Sequence, residues 1–161
     1  MADLGLAPWE LMRTQTVLEL MKANELTERF GLTLSPGQIA RVADRRFEAL
    51  KNTGRVEFGR GILRELIEAF CDSPYVRQEE YEETVSELID SFYYFRGESD
   101  GLIPDSDLID CMRRYFDGVC QGSLEFLNGA TLSDLIRDTR YARPISADRL
   151  RMHSEGPCET N

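Results

Sequence analysis

Between residues 81 and 95 the chain places Tyr81, Val85, Leu88, Phe92 and Phe95 at alternating steps of four and three. Side chains at that spacing return to one face of an α-helix turn after turn, so the stretch predicts a helix with a single apolar seam facing the inside of a bundle. The same period governs much of the remaining sequence. Ile62, Leu63, Leu66, Ile67, Phe70 and Cys71 form an almost uninterrupted i, i+3, i+4 pattern, ended by Ser73 and Pro74. Ile39, Val42, Ala43, Phe47 and Leu50 form another stripe, and Leu108, Cys111, Met112, Tyr115 and Phe116 a third.

The ends of these segments carry helix signals. Ser35 stands before Pro36 with Gln38 three residues on, the pattern of a capping box, and Gly54 lies just beyond the matching end. Pro8 suits the first position of an N-terminal helix in which Trp9, Met12, Leu18 and Met21 are helix-spaced apolar residues. A break is expected near Asn24, followed by a short piece that stops at Gly31. Near the C-terminus, Ser123 is expected to cap a short helix, a further helix is expected to begin at Thr131, and Gly118 is expected to close the helix before them.

These segments predict an all-α fold: one irregular multi-helix bundle over residues 1–142, with main helices near 36–52, 60–72, 78–95 and 106–117. A chain of 161 residues fits one domain and buries enough surface to fold without a disulfide or metal. From 143 to 161 the apolar residues are scattered with no sustained period, so a flexible tail is expected there.

Charge is distributed unevenly. Eleven acidic side chains and two arginines lie between Arg77 and Asp110, in a chain whose net charge is −10. That concentration opposes binding to nucleic acid or to an anionic membrane and favours a basic partner protein. Glu79, Glu80, Glu83 and Glu87 are the candidate interaction surface. Part of this acidity also has a structural use, because the N-terminal end of a helix favours negative charge.

The segment from Phe95 to Met112 has the outline of a calcium-binding loop between two helices. With Gly101 at the sixth loop position, Glu98, Asp100 and Asp107 fall where an EF-hand places oxygen ligands. The first ligand position, however, is Arg96, which puts a cation where the metal needs an anion, and the last is an aspartate instead of the longer glutamate. Glu98, Asp100 and Asp107 are therefore weak metal candidates. The expectation is an acidic connection in which Asp100 and Gly101 make a turn and Asp105 or Ser106 caps the next helix.

Other chemistry is less well supported. Cys71, Cys111, Cys120 and Cys158 lack zinc-type spacing, and the single histidine is His153, so the cysteines read as buried thiols in a reducing compartment. Gly59, Arg60 and Gly61 precede a helix, but Arg64 stands where a dinucleotide fingerprint needs its last glycine. The N-terminus lacks the pattern of a secretory signal, and no apolar run approaches the roughly 20 residues that span a bilayer. A cytoplasmic protein without a cofactor is expected, acting as a non-enzymatic interaction module. A degenerate ion sensor, or an enzyme whose site assembles only in three dimensions, are the alternatives.

The stretches GRVEFGRGILRELIEAFCDSPY and FDGVCQGSLEFLNG resemble a family of small bacterial helical proteins with no assigned function. The resemblance spans roughly residues 24–141. It implies a bacterial cytosolic protein and carries no catalytic motif.

Overall fold

In the computed structural model, residues 8–53 and 62–140 are described, and every regular element among them is helical. The main helices are α1 (Pro8–Thr27), α2 (Pro36–Thr53), α3 (Leu63–Phe70), α4 (Tyr81–Glu98) and α5 (Asp105–Asp117). A short α6 (Leu124–Phe126) leads through a π-helical turn, Leu127–Thr131, into α7 (Leu132–Arg140). The architecture is the all-α multi-helix bundle expected from the apolar periods. The expected tail at 143–161 and the Gly59-Arg60-Gly61 segment lie outside the described residues, as does Gly54.

The α4 helix forms the centre. It packs against α2, α3, α5 and α7, and every seam residue from Tyr81 to Phe95 is buried. Removing a side chain such as Leu88 or Phe92 from water contributes roughly 1.5–3 kcal/mol, so this seam is a principal source of cohesion. Phe70 of α3 meets Phe116 of α5 edge to face, with ring centroids 5.4 Å apart. At the rim of this contact Arg113 joins α5 to the end of α3, donating to Asp72 at 2.6 Å and also to the Ala69 carbonyl. The same guanidinium reaches Asp117, which in turn accepts a 2.7 Å bond from Ser73.

Hydrogen bonding explains where the elements begin and end. Ser35 N–H donates to the Gln38 side chain at 2.8 Å while Gln38 N–H donates back to the Ser35 hydroxyl at 3.2 Å, completing the expected capping box at the start of α2. Ser123 caps α6 by accepting from Phe126 N–H. Gly118 follows α5, and its N–H is bonded to the Arg114 carbonyl. Gly31, at φ 78°, stops the turn Glu28–Phe30 that continues α1.

Four local expectations are corrected. No break occurs near Asn24: the helix runs through it, and the Asn24 amide bonds both backbone groups of Leu34 at 2.9 Å. Those groups belong to the α1–α2 connection and have no helical partner, so the asparagine satisfies them. Thr131 does not start a separate helix, because the π-helical turn carries the chain from α6 into α7. No side chain caps α5: Pro104 occupies the cap position, and Asp105 is bonded to Arg96 instead.

The fourth correction concerns which face of α1 is inside. Trp9, Leu18 and Met21 are half exposed, while Thr16, Leu20, Ala23 and Thr27 are buried, again at steps of four and three. Polar threonines are tolerated inside because their hydroxyls are bonded. Thr16 donates to the Met12 carbonyl and accepts from Arg46, and Thr27 donates to the Leu32 carbonyl at 2.7 Å. Arg46 correspondingly enters the α2 stripe at 3 % exposure, and Phe47 moves to the edge, where its ring lies 5.9 Å from that of Trp9.

Candidate functional site: the acidic face of α4

Because its neighbours cover most of α4, only a narrow strip of that helix meets solvent. Glu83 and Tyr94 are exposed along it, with Glu87 and Asp90 half-buried between them. These four residues are spaced by four, three and four, and they lie two residues out of phase with the buried seam. Two residues correspond to about 200° around a helix, so the acidic strip is the reverse side of the apolar one. Glu79 and Glu80 are exposed in the 3₁₀ turn Gln78–Glu80 that leads into the helix.

The structure separates the acidic residues of this region into two kinds. Glu82 receives both Nε and Nη2 of Arg41, at 2.7 and 3.0 Å, and Asp90 is paired with Arg45 at 2.7 Å. These pairs fasten α2 to α4, and the Arg41 hydrogen bonds hold the Glu82 carboxyl below its usual range. Glu79, Glu80, Glu83 and Glu87 have no ion pair among the described residues. Partial burial pushes the Glu87 carboxyl above its usual range, and the negative charge of Glu83 one turn away pushes in the same direction. The sequence had identified all four glutamates. It offered no sign that Glu82 and Asp90 differ from them, because their arginine partners lie about 40 residues away in the chain.

Tyr94, at 55 % exposure, adds an aromatic side chain at the far end of the strip. The run SFYYF contains three aromatic residues besides Phe92, and helical phase decides among them: Tyr93 and Phe95 are buried, and Tyr94 turns outward.

The structure places the three metal candidates apart in role. Glu98 is the last residue of α4, Asp100 lies in the turn at φ 55°, and Asp107 is in the first turn of α5. The first and third positions of the expected loop are therefore helical, since α4 runs three residues beyond Phe95. Arg96 reaches across the connection to Asp105, and its guanidinium lies so close to Gly101 that a Cβ there would stand 3.2 Å from Nη1. The hollow of the loop thus holds the protein's own cation. Among the described residues no three His, Cys, Asp or Glu side chains gather as a metal site would require.

A recess between α3 and α4, lined by Leu66, Phe70, Val76, Tyr81 and Val85, is apolar and has a volume of about 10 Å³, room for one water at most. Cys71, Cys111 and Cys120 are buried, and burial pushes the Cys111 thiol up to about 12, far from the reactive thiolate form. Cys158 lies outside the described residues. No described helix is long and apolar enough to cross a membrane.

No curated protein and no solved structure matches the chain. Residues 19–144 match a family model described as a family of unknown function, DUF6323, which takes in both stretches that carried the resemblance in the sequence. The match covers most of the 161 residues, and the chain belongs to this family of unknown function.

Proposed function

We propose that the protein is a non-enzymatic interaction module that docks a basic segment of a partner protein on the strip formed by Glu79, Glu80, Glu83 and Glu87. The observation that carries this reading is the contrast within α4. Glu82 and Asp90 are neutralised by arginines of α2, whereas Glu83 and Glu87 stand one turn apart without an ion pair, and the Glu87 carboxyl stays raised by burial and by Glu83 although Arg45 acts in the opposite direction. A lysine or arginine of a partner supplies the missing charge, and complementary charge of this kind raises the rate of encounter and selects the partner. Tyr94, on the same strip, offers an apolar and cation-binding ring at its edge. A cytoplasmic setting agrees with the buried cysteine thiols.

Cross-linking followed by capture from native cells tests the proposal, with the charge-neutral variant E79Q/E80Q/E83Q/E87Q beside the wild type. The expected result is a partner cross-linked within residues 79–94, lost from the variant and weakened by salt. A partner retained equally by the variant, or cross-links confined to another face, would overturn it. Circular dichroism of the variant keeps loss of folding distinct from loss of binding.

A further inference from the structure

We draw no further inference here: the strongest candidate, the outer face of α1 where Leu11, Leu18 and Met21 are each about half exposed, carries nothing further because nothing in the structure shows what covers it.

Discussion

The helices α1 and α4 are close in length, 20 and 18 residues, and both carry apolar side chains around much of their circumference, yet they occupy opposite situations. The α4 helix is enclosed by α2, α3, α5 and α7 and shows solvent one narrow acidic strip. The α1 helix packs chiefly on α2 and α3, buries threonines on its inner side and leaves Leu11, Leu18 and Met21 half exposed. Apolar content alone therefore does not decide which helix becomes the core. The number of neighbours decides it, together with the availability of hydrogen-bond partners for whatever polar groups the inner face carries.

The most severe test of this contrast is Phe92→Ala. Phe92 is fully buried in the α4 seam, and its truncation is expected to cost about 3–5 kcal/mol in urea unfolding. A loss below about 1 kcal/mol would mean that α4 is not the centre of the core. Asn24→Ala probes the inner side of α1. Removing both bonds to Leu34 leaves two backbone groups of the α1–α2 connection without their partner, for an expected loss of roughly 2 kcal/mol. An unchanged denaturation midpoint would show that the connection holds without the asparagine.

On the outer side of α4 the sign reverses. The Glu87 carboxyl is raised in the folded protein, so its charged form opposes folding at neutral pH, and that opposition is removed as the pH falls through the folded pKa towards the unfolded one. Glu87→Gln is expected to stabilise the protein at pH 7 by less than about 1 kcal/mol, an advantage that disappears below the ordinary glutamate range. Thermal melts of both proteins across that range measure it, and a destabilised variant at pH 7 would contradict the raised Glu87 carboxyl. The smallest effect is expected on the outer face of α1. Leu18→Gln should change stability by no more than about 0.5 kcal/mol, and a loss comparable to that of Phe92→Ala would show that this face is covered.

Much of the helical organisation was legible because its signals are local. The capping box at Ser35 and Gln38, the stop at Gly31 and the seam from Tyr81 to Phe95 each involve residues within one or a few turns of one another. The Asn24 expectation failed for the opposite reason: asparagine is a weak helix former by itself, but its partner Leu34 belongs to the next segment of the chain. The same applies to Asp105. A cap is the local use of an aspartate at that position, and the pairing with Arg96 displaced it.

For the candidate site, the sequence nominated Glu79, Glu80, Glu83 and Glu87 and set a cation, Arg96, at the first position of the acidic loop. Helical period, capping and net charge are properties of near neighbours, so the all-α architecture and the location of the acidic segment followed from the sequence by itself. Only the tertiary structure decided that α1 turns its threonines inward, that Arg41 and Arg45 neutralise Glu82 and Asp90, and that Arg96 lies within its own loop. The physical reason is that desolvation and ion pairing depend on which side chains are close in space, and packing brings together residues that are far apart along the chain.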